Sequence, residues 1–446
     1  MVLSDILHDR LRMKGILRFH IPLSVTSVLM ASSHSIVNSG LARTPRPEIA
    51  LAAFALGHTI ANMFASPLWS TRDMLIAFGT DKASMRSAVR TTAGIAGFVM
   101  VWMVLLGYTS FGRFVYVDIF GASEVLFTEI LSVVRLCLAI PLIYSTRAWA
   151  QAVLMLSRKT EYMTFAMIMR LVGGLVMAAF LPRLGFLSGT MVGAVIWVGG
   201  MGIESLVCCV LALRGNGDLP PKPAEGEAAS VKECLVFLWP LILNALLGSL
   251  VMPLINAGLV RTDDPERNLA VFSVVWSLVW ALSSFVHMTL RQTVMVFLKN
   301  AHWLRVLRRF SRYLQYATSL SLALMIITGL ADWLLVSVIG LEPTLLHDAR
   351  TVLFLLAAYP FLCGLVDLKT GIALACRRTG LIGAARVADV VGLAAAVFLL
   401  TFVVPSWGAT IGALAMMSGL LFNYLALRFM MKDDELMLVE QGMQGD

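Results

Sequence analysis

Charged residues are scarce in this chain, and the sequence motifs of common membrane enzymes are absent. Only 14% of the 446 residues are Asp, Glu, Lys or Arg. Soluble globular chains carry roughly 25%. We find no GxxxxGKS/T phosphate loop, no HExxH, no GxSxG elbow and no kinase-type signature. A primary ATP-driven pump or a membrane hydrolase would need one of these motifs, on this chain or on a partner. No catalytic residue is therefore predicted.

Cysteine is scarce as well, and its spacing does not indicate a metal site. The six cysteines form no CxxC pair, and all fall within or beside apolar segments. We therefore expect buried small apolar side chains rather than disulfides or metal ligands. Neither a metal nor a cofactor is predicted.

Apolar residues make up 59% of the chain, and the mean hydropathy is +0.82. Twelve apolar runs are each long enough to cross a hydrocarbon core of about 30 Å as a helix. This pattern predicts an all-α polytopic membrane protein with twelve transmembrane helices. The predicted spans are residues 16–41, 49–78, 88–111, 123–156, 161–181, 187–213, 233–260, 267–298, 312–338, 344–376, 380–404 and 407–431.

The second half of the chain repeats the first at an offset of about 219 residues. Residues 38–44 (NSGLART) recur as residues 256–262 (NAGLVRT), and residues 158–160 (RKT) recur as 377–379 (RRT). Because each half holds six spans, both halves enter the membrane from the same side, which is the parallel type of repeat. Repeats of this size are typical of transporters. We therefore predict two parallel six-helix repeats around a central cavity.

Prolines recur with the repeat. Pro22 and Pro240 lie near the starts of the first and seventh spans, and Pro141 and Pro360 fall inside the fourth and tenth. Each proline would remove a backbone hydrogen bond and kink its helix. Such kinks are either bending sites of a transporter or ordinary packing features.

The basic charge balance follows membrane topology rather than nucleic-acid binding. Of the 35 Lys and Arg residues, 21 fall on one side of the twelve-helix arrangement and seven on the other. The positive-inside rule makes the richer side cytoplasmic. Both termini are therefore expected in the cytoplasm, in a multi-pass protein of the cell membrane.

The chain divides into five predicted segments. An N-lobe at 16–213 and a C-lobe at 232–431 are joined by a cytoplasmic linker at 214–231, which is rich in Pro, Gly and charge. Residues 1–15 carry leucines on one helical face, which predicts an amphipathic helix on the cytoplasmic leaflet. Residues 432–446 are predicted to form a polar cytoplasmic tail.

Several charged and polar residues fall inside the predicted spans, where charge is costly and therefore faces the bundle interior or a wet cavity. Arg72 and Arg291 occupy equivalent positions of the two halves. Guanidinium groups match carboxylate and phosphate bidentately, so this pair favours an anionic substrate. The predicted substrate-binding residues are Arg72, Arg291, Arg147, Lys369, Asn38, Asn256, Gln151, His34 and His287.

Each of these residues also has a plainer interpretation. Arg72 and Arg291 can lie near cytoplasmic helix ends, where they snorkel or pair with Asp73 and neighbouring loops. Intramembrane histidines such as His34 are more often satisfied interior groups than ligands.

Three intramembrane acids are predicted ion-coupling residues: Asp73, Asp367 and Asp389. Burial would raise the affinity of such carboxylates for protons. The alternative is structural pairing, for which Asp389 has Arg386 at i, i−3 on the same helix. Both interpretations stay open from the sequence.

A set of short segments is distributed over the predicted spans of both halves. It comprises Ile16–Phe19, Ile21–Leu23, Asn38–Ala42, Ala52–Leu56, Pro67, Arg72–Phe78, Ala148–Trp149, Val338–Gly340, Thr370–Gly371 and Gly408–Gly412. Through these residues the chain resembles the progressive ankylosis (ANK) family over most of its length. The polar residues of the fourth and tenth spans, among them Arg147 and Lys369, depart from the pattern of the animal members.

The resemblance carries implications for fold and function. That family is similar in fold to the multidrug/oligosaccharidyl-lipid/polysaccharide exporters, with two six-helix lobes around a V-shaped cavity. Its animal members are associated with release of pyrophosphate, ATP and citrate. The implied function is a secondary exporter of a small organic or phosphorylated anion by alternating access. The expected partners are that anion and the lipid bilayer, not nucleic acid, and a monomer is the working expectation.

Other functions remain open at this stage. A multidrug or cationic-metabolite antiporter on the same fold would be coupled through Asp73, Asp367 or Asp389. A flippase for lipid-linked precursors would use the basic residues to hold a diphosphate. A membrane scaffold would gain nothing from buried charge. The major-facilitator fold would also give six plus six helices, but its Gly- and Arg-rich loop is not found in residues 79–90.

Overall fold

The protein is described by a computed structural model over residues 2–79, 81–119, 123–185, 187–214, 228–284, 289–299, 301–339, 341 and 343–431. The regular secondary structure of these residues is helical, with no strand among them. The predicted all-α membrane architecture is confirmed. The chain divides into two compact units, which we call the N-unit (Val25–Leu238) and the C-unit (Met1–Ser24 with Trp239–Asp446).

The first helix, α1 (Val2–Leu41), begins in the C-unit and ends in the N-unit. The predicted amphipathic helix is thus the continuous beginning of α1, and its position on a leaflet stays a prediction. The other helices of the N-unit are α2 (Pro47–Ala65), α3 (Thr71–Phe78), α4 (Lys82–Tyr108), α5 (Ser110–Arg113), α6 (Glu124–Cys137), α7 (Ile140–Leu156), α8 (Glu161–Phe180) and α9 (Gly189–Arg214).

The helix α10 (Val231–Ser249) leads from the N-unit into the C-unit. It is followed by α11 (Val251–Leu259), α12 (Pro265–Ser283), α13 (Thr289–Phe297), α14 (Ala301–Ile327), α15 (Leu330–Trp333), α16 (Leu346–Leu356), α17 (Tyr359–Ala375), α18 (Thr379–Val403) and α19 (Thr410–Met430). Short 3₁₀ and π-helical turns connect several of these helices, as at Ser66–Ser70 between α2 and α3.

Within the described residues, nine helices are long and apolar enough to cross a membrane, and a tenth forms if Ala301–Ile327 and Leu330–Ser337, bent by 79°, count as one span. The remaining two predicted spans coincide with α1 and with the pair α12 and α13. Residues 285–288, between the members of that pair, lie outside the described part. Over the described residues, each of the twelve predicted spans therefore corresponds to helical chain.

The repeat is visible in the local backbone of each unit. Arg158 and Arg377 follow α7 and α17 with φ angles of 56° and 57°. In each unit the next amide donates back to a carbonyl of the last helical turn, Lys159 to Leu154 at 2.8 Å and Arg378 to Ala373 at 2.8 Å. This is the Schellman helix ending, in a left-handed conformation that costs a non-glycine residue roughly 1–2 kcal/mol.

The prolines act differently at the two pairs of positions. Pro22 and Pro240 lie inside α1 and α10, as predicted. Pro141 and Pro360 do not kink a helix interior but occupy the first turn of α7 and α17. A first-turn amide has no partner within its helix, so proline is tolerated there. The predicted fourth and tenth spans are consequently each built from two helices, α6 with α7 and α16 with α17.

The core of the N-unit is formed by buried apolar side chains from seven helices, among them Leu41 of α1, Phe54 of α2, Met103 of α4, Val133 of α6 and Ile196 of α9. Large apolar side chains elsewhere are exposed, for example Leu175 and Val176 on α8 and Phe402 on α18. Exposed apolar faces of this size suit helices that contact lipid. The polar side chains inside the N-unit therefore lie in an apolar setting.

Candidate functional site

A buried carboxylate on α9, that of Glu204, organises the polar interior of the N-unit. Its Oε2 accepts hydrogen bonds from Arg147 Nη1 of α7 at 3.1 Å and from Arg170 Nη1 of α8 at 2.9 Å. Its Oε1 accepts one from Gln151 Nε2 at 3.0 Å. Gln151 Oε1 in turn accepts from Arg72 Nη1 of α3 at 3.0 Å. We call these five residues the Glu204 network.

Helical spacing explains why these side chains meet. Arg147 and Gln151 are four residues apart on α7 and therefore lie on one face. Gly200 is one turn before Glu204 on α9, and a side chain there would approach Arg170 Cγ to 3.5 Å. This distance is an ordinary van der Waals contact, so Arg170 packs against α9 one turn before the carboxylate that it binds.

The network is largely removed from solvent. The side chains of Glu204 and Arg170 are 1% and 3% exposed, and that of Arg147 is 13% exposed. A buried carboxylate costs several kcal/mol unless it is paired and hydrogen-bonded. Here both of its oxygens accept charge-assisted or amide hydrogen bonds. The five residues together carry three positive charges and one negative charge, so the network is positive overall.

Aromatic rings hold two of the guanidinium groups. The Arg147 guanidinium lies over the Tyr144 ring, 4.8 Å from its centre, and the Tyr144 hydroxyl donates to Asn62 Oδ1 of α2 at 3.4 Å. The Arg170 guanidinium lies over the Trp197 ring at 5.0 Å. Cation–π contacts of this kind are worth up to about 2 kcal/mol where water is excluded. They restrict both arginines to one orientation.

Two histidines extend the polar region from Trp197 toward α1 and α2. The Trp197 ring centre is 4.6 Å from the ring centres of both His34 and His58, and the two histidine rings are 5.7 Å apart. Phe54 stacks on His58 at 5.2 Å. His58 is buried, whereas His34 is exposed on α1. The predicted polar residue His34 therefore lies next to an aromatic cluster rather than in the Glu204 network.

The chain matches the model of a known protein family. The family model of the progressive ankylosis protein (ANKH) matches residues 9–274. This is more than half of the chain. The chain belongs to the progressive ankylosis protein family.

Solved transporters share the fold of this ANKH-family chain. An outward-facing multidrug resistance MATE family transporter of the MOP superfamily aligns with a TM-score of 0.73 at 14% identity, covering 94% of this chain and 96% of that one. A MOP superfamily transporter from Pyrococcus furiosus aligns at 0.72 and 14%, covering 94% of each chain. The eukaryotic MATE transporter AtDTX14 aligns at 0.71 and 12%, covering 98% of this chain and 100% of that one.

Family and fold together define the class of protein. The ANKH-family chain is a multi-pass membrane protein and a secondary membrane transporter, with the two-lobe helical architecture of the MATE and MOP transporters. Identities this low show the fold alone, and the substrates of those transporters are not carried over.

The structure brings together three of the predicted substrate residues of this ANKH-family chain, namely Arg72, Arg147 and Gln151. Asn38 and His34 are exposed on α1 outside the Glu204 network, and Asn256 is exposed on α11 of the C-unit. His287 lies outside the described residues.

The other predicted cations belong to the C-unit. Arg291 is half-buried on α13 and Lys369 is buried on α17. The backbone of α17 passes very close to α13, since a side chain at Gly371 would approach the Arg291 carbonyl oxygen to 2.9 Å. The position of Arg291 therefore depends on the glycine at 371.

The predicted ion-coupling acids have varied surroundings. Asp389 of α18 forms an ion pair with Arg386, the structural pairing that the spacing allowed, and accepts a hydrogen bond from Asn423 Nδ2 of α19 at 3.2 Å. Asp367 of α17 accepts a hydrogen bond from the Cys363 thiol at 3.6 Å. Asp73 is buried on α3. A coupling role for these acids stays a prediction.

Two residues of the Glu204 network were not among the predicted site residues. Glu204 and Arg170 both lie inside predicted spans, and the sequence identifies them as intramembrane charges. Their pairing depends on α8 and α9 packing side by side, which spacing along one helix does not reveal. The sequence does contain one signal, which is the opposite charge of two equivalent positions. The repeat places Arg170 at the position equivalent to Asp389.

Proposed function

We propose that this chain exports a small organic or phosphorylated anion by alternating access, and that the arginines of the Glu204 network bind it. The observation that carries the proposal is that two guanidinium groups, those of Arg147 and Arg170, share the single carboxylate of Glu204, with Arg72 linked to it through Gln151. A buried excess of positive charge is costly unless an anion compensates it. Citrate, ATP and pyrophosphate represent the chemistry that such a site would accept.

Arg72 and Arg147 are the members best placed to contact a substrate, because Arg72 is half-buried and Arg147 is the more exposed of the two arginines bound to Glu204. Gln151 lies between them, one helical turn from Arg147. Each guanidinium offers a planar fork of N–H groups that matches a carboxylate or phosphate. Arg170, at 3% exposure, is better suited to position Glu204 than to reach a substrate.

Glu204 would then bind Arg147 in place of the substrate anion. While no anion is bound, its carboxylate satisfies Arg147, which limits the cost of an unpaired guanidinium. An arriving anion would take over part of this pairing. Exchange between an internal carboxylate and an external anion also provides a means of releasing the substrate, because Glu204 competes for the same N–H groups.

The polarity of the N-unit interior favours an anionic substrate over a cationic drug. The Pyrococcus furiosus transporter is described as having a binding pocket of reverse polarity that suggests a different function. Pocket polarity therefore varies among proteins with this fold. In the present chain the described polar interior of the N-unit carries arginines bound to a single glutamate. This suits an anion better than a cationic drug.

A cation antiporter is the second candidate, and the C-unit supplies the observation that favours it. Asp389 is buried and held by Arg386 and Asn423, and Asp367 is buried beside Cys363. Buried carboxylates can exchange a proton or a small cation when their surroundings change. The same basic residues that would bind citrate could also hold the diphosphate of a lipid-linked precursor, which makes a flippase the third candidate.

We propose that both termini lie in the cytoplasm and that the protein is in the cell membrane, as the distribution of Lys and Arg favours. Export rather than uptake is proposed from the family, whose animal members are associated with release of anions. Labelling of an engineered cysteine near either terminus in intact and in permeabilised cells would determine the side. Labelling in intact cells would reverse the proposed topology.

The experiment uses the full chain in liposomes loaded in turn with radiolabelled citrate, ATP or pyrophosphate. We expect release by the wild type, and a loss of about 10-fold or more for Arg72→Ala and for Arg147→Ala, since a charge-assisted hydrogen bond contributes about 1.5–3 kcal/mol. Arg72→Lys should fall between, because lysine keeps the charge and loses the fork. Arg291→Ala tests the equivalent arginine of the C-unit.

The matched control is Arg113→Ala, which removes an exposed arginine that pairs with Glu124 in the same unit. Unchanged release by Arg72→Ala and Arg147→Ala would refute the anion site. Efflux of a quaternary ammonium dye that is lost in Asp389→Asn would favour the antiporter. Movement of a lipid-linked diphosphate without release of soluble anions would favour the flippase.

A further inference from the structure

A small cavity beside Arg170 is lined by residues of α1, α8 and α9 of the N-unit, and Glu204 is not among them. Its wall includes Ser33, Arg170 and Trp197, together with Gly174 and Gly200. The free volume is about 10 Å³, which accommodates one particle of about the size of water. Citrate, ATP and pyrophosphate are far too large for it, so the cavity is separate from any organic-anion site.

Three polar groups on the cavity wall are buried and lack a hydrogen bond to any described residue: Arg170 Nη2, Trp197 Nε1 and Ser33 Oγ. These side chains are 3%, 3% and 5% exposed, respectively. The guanidinium and indole nitrogens are donors only, and the hydroxyl can donate. An unsatisfied buried donor costs about 1–3 kcal/mol. A shared ligand that accepts hydrogen bonds would satisfy all three.

Charge distinguishes an anion from a water molecule as that ligand. Arg147 and Arg170 both bond the same oxygen of Glu204, so two buried cations share one counter-charge. Arg170 is part of the cavity wall, and its guanidinium lies over the Trp197 ring at 5.0 Å. Water would satisfy the donors but leave the excess charge, whereas a monoanion would do both.

We propose that this cavity binds a single monatomic anion, with chloride as its physiological type, held by Arg170, Trp197 and Ser33. The ion would neutralise the charge excess of the Arg147–Glu204–Arg170 group and hold Arg170 in place against Glu204. The site rests on the same charge excess as the proposed export site, but its volume admits no organic anion and its occupancy can be measured without transport.

The test measures the thermal unfolding temperature of the full chain in nanodiscs while chloride replaces gluconate at constant ionic strength. A ligand that binds only the folded state raises this temperature, because it stabilises that state by RT ln(1 + [L]/Kd). We expect chloride and bromide to raise it relative to gluconate, which is too large for the cavity. Equal temperatures in chloride and gluconate for the wild type would overturn the proposal and assign the cavity to water.

Two variants locate the response. Trp197→Phe and Ser33→Ala each remove one hydrogen-bond donor without changing charge, and each should raise the half-saturating chloride concentration by about 5- to 10-fold. Trp149→Phe, in the same unit and not part of the cavity wall, is the matched control and should respond like the wild type. A wild-type response in both Trp197→Phe and Ser33→Ala would place chloride elsewhere and refute the site.

Arg72→Ala separates this proposal from the export function. That variant should lose organic-anion release and keep the chloride response, because Arg72 lies two hydrogen bonds away from Glu204 and not on the cavity wall. Loss of both the chloride response and organic-anion release in Arg72→Ala would show that chloride and the organic anion bind the same site. That result would refute the separate chloride site.

Discussion

Arg170 and Asp389 occupy equivalent positions of the two repeats and bear opposite charges, 170 + 219 giving 389. Their partners are equivalent as well, 204 + 219 giving 423. In the N-unit Arg170 Nη1 donates to Glu204 at 2.9 Å, and in the C-unit Asp389 accepts from Asn423 at 3.2 Å. The same helix pair thus carries the same contact with donor and acceptor exchanged. The N-unit interior is therefore positive where the C-unit holds a carboxylate.

Replacing Glu204 by glutamine should strongly destabilise the protein. The change keeps the shape of the side chain but leaves Arg147 and Arg170 without their shared counter-charge, and breaking a buried pair in this way costs about 3–5 kcal/mol. The measurement is the thermal unfolding temperature in nanodiscs. Glu124→Gln is the control, since it breaks an exposed ion pair with Arg113 and should have little effect. Equal effects of the two changes would contradict a buried network.

Replacing Arg158 or Arg377 by glycine should stabilise the protein modestly. Both arginines hold positive φ angles of 56° and 57°, where glycine avoids a steric cost of roughly 1–2 kcal/mol, offset in part by its greater flexibility when unfolded. Arg158→Ala and Arg377→Ala keep the strained backbone and serve as controls that should show no gain. If alanine stabilises as much as glycine, the effect comes from the lost charge rather than from the backbone.

Replacing Gly371 by alanine should disturb the packing of α17 on α13. The added methyl group would lie 2.7 Å from Val294 Cβ and 2.9 Å from the Arg291 carbonyl oxygen. Overpacking of this kind costs about 1–3 kcal/mol. It should also displace Arg291 and reduce anion release. Gly380→Ala is the matched control in the same unit, because nothing lies within 4 Å of its added methyl group. A neutral Gly371→Ala would contradict the close helix approach.

Replacing Asp389 by asparagine tests structural pairing against ion coupling. The change removes the ion pair with Arg386 and weakens the contact with Asn423, so we expect a lower unfolding temperature, by the equivalent of about 2 kcal/mol. Anion release without a pH gradient should be nearly unchanged. Release that responds to a pH gradient in the wild type and not in Asp389→Asn would instead identify Asp389 as a coupling residue.

Much of the architecture could be predicted because it depends on local pattern. Apolar runs, the 219-residue repeat and the charge bias between alternate loops are read along the chain, and each predicted span coincides with helical structure. The prolines show where prediction from the local sequence pattern fails. A proline inside a long apolar run signals a kink or a helix start equally well, and only the structure shows that Pro141 and Pro360 begin α7 and α17.

The candidate site was less accessible to prediction. Arg147 and Gln151 could be grouped because helical spacing places them on one face. The sequence contains no indication that Glu204, 53 residues after Gln151, would bond both of them. His34 and Asn38 are likewise four residues apart on α1, but the His34 ring contacts Trp197 and His58.

By itself the sequence determined the helical class, the membrane setting, the repeat and the family. Hydrophobic length suffices for the first two, and matching residues along the chain carry the repeat and the family. Only the tertiary structure decided which intramembrane charges neutralise one another. That choice depends on distances of about 3 Å between side chains of different helices, and no periodicity along a single helix encodes them. The assignment of Arg147 and Arg170 to Glu204, and of Arg386 and Asn423 to Asp389, therefore rests on helix packing.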